Sequence, residues 1–124
     1  PDVCPATLAN LTDMLGKDLS DMRSGDLRKA IRRGDKLATK VVEAAAEFAG
    51  IGVANLINIL NPEIVVVGGG VIEALADEMM PTLIKAAKEH VMPGTMSGID
   101  IKASKLGDNA GITGAAVLAR RGTA

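Results

Sequence analysis

Apolar positions recur along this chain with two different periods, and the places where the period changes mark its elements. Between Asp35 and Leu60, the residues Leu37, Val41, Ala45, Phe48, Gly52, Asn55 or Leu56, and Ile59 fall on one stripe at helical spacing. That spacing predicts a long helix, roughly 40 Å at 1.5 Å per residue. Asp35 is placed to cap its start. Asn61 and Pro62 are placed to stop it, because Asn tolerates the left-handed conformation and Pro cannot continue a helix. The middle of the helix, Ala44 to Ala46 with Ala49, Gly50, Gly52 and Ala54, is nearly free of bulk. A glycine inside a helix costs about 1 kcal/mol relative to alanine, a cost that close packing of a second helix would offset.

The helical period then disappears. Glu63 to Val67 read as a short strand whose apolar part, Ile64 to Val67, has no polar alternation. Such a strand is expected to be buried on both faces, as the central strands of α/β sheets are. It ends in Gly68-Gly69-Gly70, and a helical pattern follows from Ile72 to about Val91. Pro81 lies inside that pattern, which predicts a kink there or a second helix with Pro81 in its first turn. Met92-Pro93-Gly94 end the helix, residues 94–98 form a loop, and Ile99 to Ser104 alternate as a strand exposed on one face would. Leu106 to Asn109 turn the chain, and Asp108 or Asn109 caps a last helix to about Arg121, with a small face of Gly111, Gly114, Ala115 and Ala119.

Upstream, Asp26 to Arg33 read as a short helix closed by Gly34 and capped by Asp26, and Thr7 to Leu15 as another, with Leu8, Leu11 and Leu15 at helical spacing. Residues 1–25 read as a connector or a remnant of an upstream domain, and residues 26–124 as a C-terminal subdomain. The order is helix, helix, strand, helix, strand, helix, so the fold class is α/β with at least two parallel strands and packed helices. A strand–helix–strand unit is expected to cross over right-handed. Two strands do not make a stable doubly covered sheet, so further strands are expected from a missing N-terminal part or from a partner chain. The chain begins at Pro1 rather than Met, and is expected to be the C-terminal piece of a longer protein.

Composition narrows the chemistry. With 48% hydrophobic and 23% charged residues the chain can bury a core, but one Phe and no Trp or Tyr mean a core of Ala, Val, Ile, Leu and Met. The net charge of −1, with scattered Lys and Arg, argues against nucleic acid as the main partner. Arg28, Lys29, Arg32, Arg33 and Lys36 read as a solvated helix face. Cys4 is the lone cysteine, so no intrachain disulfide forms and a cytoplasmic setting is expected. The most apolar stretch, Phe48 to Leu60, is broken by Gly50, Gly52, Asn55 and Asn58, and no membrane span is expected.

The candidate site is the run of glycines at the end of the first strand. In open α/β sheets ligands collect beyond the carboxyl ends of the strands. A dinucleotide fingerprint fails, because Glu73 stands where its third glycine belongs, and a Walker A loop fails for want of Gly-Lys-Ser/Thr. Close approach of a ligand to Gly68, Gly69 and Gly70 and a purely structural turn both stay open. The Leu106–Gly111 loop should lie on the same sheet edge. His90, the sole histidine, suits an exposed helix C-terminus better than a metal site. Asp77 and Glu78 look like solvated surface, and no catalytic triad or convincing general base can be assembled.

The run from Asn55 through Asn61-Pro62-Glu63-Ile64-Val65-Val66-Val67-Gly68-Gly69-Gly70-Val71 closely resembles the ROK family (repressors, open reading frames and kinases). So do Gly34-Asp35 at the start of the long helix and Leu106-Gly107-Asp108-Asn109-Ala110-Gly111-Ile112-Thr113-Gly114-Ala115-Ala116 near the end. The resemblance covers about residues 26–121 and implies an actin-like ATPase (ribonuclease H-like) fold. It also implies an ATP-dependent hexose kinase of glucokinase type, with Mg²⁺ and ATP in the complete protein. Gly68 to Gly70 would lie against the nucleotide at its adenosine side, and the long and last helices would pack on the sheet. Dimers or tetramers are common in the family. Its phosphate loop of Asp-x-Gly-Gly-Thr type, its Asn-Asp pair with the catalytic Asp, and its cysteine-rich zinc segment have no counterpart here, so the chain alone is expected to be inactive. A sugar-sensing repressor and a non-enzymatic assembly module are the rival readings.

Overall fold

The computed structural model describes residues 22–122, without the side chain of Asp108; the expected Thr7–Leu15 helix and Cys4 lie outside these residues. The elements are α1 (Ser24–Arg32), α2 (Lys36–Leu60), β1 (Ile64–Val67), α3 (Gly70–His90), β2 (Asp100–Ala103), a 3₁₀ turn (Gly107–Asn109) and α4 (Ala110–Arg121). Their order matches the one the hydrophobic pattern predicts.

Capping chemistry explains the helix starts. Asp35 is 1% exposed. Its Oδ1 accepts from the amides of Leu37 and Ala38, both at 2.9 Å. Asp26 does not cap α1 as expected; it is the third helical residue, and its carboxylate accepts from the amide of Arg23 at 3.3 Å while Arg23 occupies the cap position. That amide, with the Lys29 ammonium as a second donor, holds the Asp26 carboxyl below the usual carboxylate range. At its C-terminus α2 stops as predicted, with Asn61 in the left-handed region at φ 44° and ψ 55°.

The long helix packs on α3, but not through the expected stripe. Its buried face is Ala38, Val42, Ala46, Gly50, Val53, Ala54 and Ile57. The expected one is turned outward, with Phe48 75% and Ile59 78% exposed. Both stripes have helical period, because α2 is apolar around much of its circumference. The smaller stripe meets α3 because backbone approach is closest there. A Cβ on Gly50 would overlap the Leu83 carbonyl oxygen and lie 2.7 Å from the Ala86 Cβ. By length and composition α2 is also apolar enough to cross a membrane, contrary to expectation. Glu43 and Glu47 are too few to break its long apolar run, of which about a third is buried in the fold.

Val42, Ala46, Val53 and Ile57 of α2 form one core with Ile72, Leu75, Met79, Leu83 and Ala87 of α3. The strands are parallel, with Ile64 opposite Asp100 and Val67 opposite Ala103. Val65, Val67, Ile101 and Ala103 face this core. The expectation that β1 is buried on both faces is corrected: Ile64 and Val66 are exposed, beside an Asp100–Lys102 ion pair at 2.8 Å. Among the described residues helices cover only one face of the sheet, and that leaves the alternate positions of β1 without a partner.

Pro81 does not break α3; the non-helical residue is Leu75, at φ −128° and ψ 22°. Pro81 and Asp77 are both exposed, so water can serve the carbonyl that the missing donor would have used. At its far end, the Asn58 amide donates to the His90 carbonyl and its oxygen accepts from the Met92 amide, tying α2 to the end of α3. The last helix departs most from expectation. No residue of α4 is buried, so it does not pack on the sheet. Asn109 makes no side-chain cap, because the 3₁₀ turn leads into α4 with Asn109 already in the right-handed helical region.

Candidate functional site

The three glycines at the end of β1 turn out to have separate reasons. Gly68 runs beside the end of β2: a Cβ there would lie 3.1 Å from that of Ser104, whose amide donates to the Val67 carbonyl at 2.8 Å. Gly69 has φ 111°, a conformation glycine adopts freely and L-residues rarely do. A Cβ on it would meet nothing within 4 Å. So Gly68 answers to a neighbouring strand, Gly69 to the turn, and the space in front of Gly69 is open. Gly70 opens α3, and no side chain caps this helix start.

Gly70 also lines an open groove of ≈ 650 Å³ together with Glu73 and Ala74 of α3 and with Arg23, Ser24 and Arg28 at the start of α1. The Ser24 hydroxyl donates to the Gly70 carbonyl at 3.4 Å, joining residues 46 apart in sequence. The second loop comes to the same edge, as its position after β2 predicts: the Glu73 carboxylate lies directly against Gly107. The sequence therefore places the glycines and the Gly107 loop together correctly but misses Arg23, Ser24, Arg28 and Glu73. Arg28 reads as part of a solvated basic face, and it is indeed exposed. No local pattern announces that α1 returns to the start of α3.

Among the described residues no three His, Cys, Asp or Glu side chains come together as a metal site requires. His90 is exposed, with Nδ1 2.9 Å from the Ala86 carbonyl oxygen and thus donating to it. Asp77 is exposed as expected, whereas Glu78 is partly covered and stands 3.9 Å from Arg32. The groove thus offers backbone, two guanidinium groups, one carboxylate and one hydroxyl. Such groups can engage a ligand through charge and hydrogen bonds.

Residues 6–122 match the description "ROK family". The chain belongs to the ROK family. It is 35% identical over 100 residues to a glucokinase of Halalkalibacterium halodurans, covering 77% of this chain and 29% of that protein. It is 33% identical over 106 residues to an N-acetyl-D-glucosamine kinase of Histophilus somni, covering 86% and 33%. Among solved structures, a ROK family glucokinase from Streptomyces griseus in complex with glucose and AMPPNP superposes with a TM-score of 0.82 at 28% identity, covering 95% of this chain and 38% of that one. A ROK family transcriptional regulator shares the fold at a TM-score of 0.57 and 23% identity. This ROK chain therefore spans about a third of the length of the curated relatives it matches. Its fold is part of the α/β actin-like ATPase fold.

Proposed function

We propose that this chain is the C-terminal, nucleotide-side part of an ATP-dependent hexose kinase of glucokinase type, with residues 26–124 as its C-terminal subdomain. The observation that carries the reading is the superposition on a glucokinase holding glucose and AMPPNP, which extends over 95% of the chain. The local geometry supports it: Gly68 to Gly70 stand at the carboxyl end of β1, where ligands of α/β sheets collect, and the groove beside Gly70 carries both cationic and acceptor groups. In this reading the main chain at Gly69 and Gly70 contacts the nucleotide. The catalytic Asp, the sugar pocket and the groups for Mg²⁺ belong to the other part of the kinase. Phosphoryl transfer depends on positioning and charge stabilisation around the phosphate, so the 124-residue chain by itself has no kinase activity. A cytoplasmic, oligomeric kinase with hexose as substrate is the setting this implies.

The test is Gly69→Ala in the complete kinase. The methyl group enters open space in front of the loop and strains a φ of 111°. The KM for ATP rises about tenfold, while the KM for sugar stays within about twofold, from the loss of one close contact worth roughly 1.4 kcal/mol. An unchanged KM for ATP in a folded variant would remove the glycines from the nucleotide site.

A further inference from the structure

One wall of the groove has a chemistry that the glycine loop does not explain. Glu73 stands in the first turn of α3, and its side chain reaches across to the loop after β2. A Cβ on Gly107 would lie 2.6 Å from Glu73 Oε1 and 2.8 Å from its Cδ. Gly107, at φ 51°, thus leaves room that any side chain would take away. The exposed carboxylate thus lies where the two loops meet, and Glu73 lines the groove with Gly70, Ser24, Arg23 and Arg28. No Lys, Arg or His pairs with Glu73 among the described residues.

An ionised carboxylate only accepts hydrogen bonds, and it offers two oxygens at fixed spacing. Phosphate is the wrong partner for it, since like charges repel strongly at short range. A pair of adjacent hydroxyls is the right one, because each can donate to one oxygen in a charge-assisted bond. The guanidinium groups of Arg23 and Arg28 belong to the α1 side of the groove, so acceptor and cations come from different elements.

We infer that Glu73 reads the sugar of the nucleotide: its carboxylate accepts from the 2′- and 3′-hydroxyls of the ribose, and Gly107 is glycine so that it can. The inference rests on the nucleotide reading above and adds a specificity-determining residue to it. In such a site the α-phosphate is directed away from Glu73, toward the open space at Gly69.

The test uses the complete kinase with ATP, 2′-deoxy-ATP and 3′-deoxy-ATP, comparing kcat/KM for each. The native enzyme prefers ATP over either deoxynucleotide by about tenfold or more, as expected for losing a hydrogen bond to a charged acceptor. In Glu73→Ala that preference falls to about onefold, through a higher KM for ATP with kcat and the KM for sugar little changed. Glu73→Gln, which keeps the shape and one acceptor, retains part of the preference. Gly107→Ala, which displaces the carboxylate, behaves like Glu73→Ala. A Glu73→Ala enzyme that loses kcat/KM equally for all three nucleotides would show that Glu73 only braces the Gly107 loop, and would overturn the inference. If that enzyme also keeps its response to Gly69→Ala, the nucleotide reading stands without it. A native protein that binds no ATP overturns both.

Discussion

At the scale of single residues, Asp35 is the clearest case of sequence chemistry fixing a local structure. It is buried, one carboxylate oxygen accepts from two amides at the start of α2, and the other has no hydrogen-bond partner. Replacing Asp35 with Ala should therefore destabilise the fold by about 1–2 kcal/mol, the cost of a lost helix cap. Asp35→Ser, which keeps an acceptor, should recover most of it, as thermal unfolding of both variants would show. Asp35 is legible because a cap acts on amides two and three residues away. Asp26 is misread for the same reason: an acidic residue suits both the cap and the third helical position, and only the position of Arg23 decides between them. Asn58 and Glu73 are not legible at all, because their partners, His90 with Met92 and Gly107, are more than thirty residues distant.

At the scale of elements, the existence and order of helices and strands could be read from periodicity, but their orientation could not. The long helix α2 is apolar on two neighbouring stripes, and counting spacing cannot say which faces α3. Steric room decides it. Gly50→Ala should cost about 1–3 kcal/mol, since its Cβ would overlap the Leu83 carbonyl and crowd Ala86. Gly52→Ala meets no atom within 4 Å. It should gain up to about 1 kcal/mol of helix propensity. Denaturant unfolding of the two variants measures the contrast; equal effects would mean that Gly50 is not the point of closest helix approach. The strands show the same limit. The run Ile64 to Val67 reads correctly as a strand of a parallel sheet, yet the coverage of its two faces depends on layers that the strand's own residues do not encode. Likewise, the glycines of the candidate site are visible as a motif, whereas the groove beside them exists only because α1 folds back onto the start of α3.

At the scale of the whole molecule, the outward stripe of α2, the outward face of β1 and all of α4 present apolar side chains without a partner among the described residues, Phe48, Ile59, Ile64, Val66, Ile112 and Leu118 among them. Exposed apolar surface of this extent is characteristic of an interaction surface. The 124-residue chain alone should therefore bind an apolar dye strongly and show a mass that rises with concentration; a monodisperse monomer that leaves the dye dark would mean these faces need no cover. The chain spans about a third of the length of its curated relatives, so the proposed activity is tested on the longer protein as well as on the chain. The most direct measurement is ADP release from ATP by the complete protein in the presence of glucose or N-acetylglucosamine, beside the 124-residue chain alone. Saturable, sugar-dependent ADP release by the complete protein and none by the chain is the predicted result. A folded complete protein that releases no ADP with any hexose would contradict the assignment of this chain to a sugar kinase.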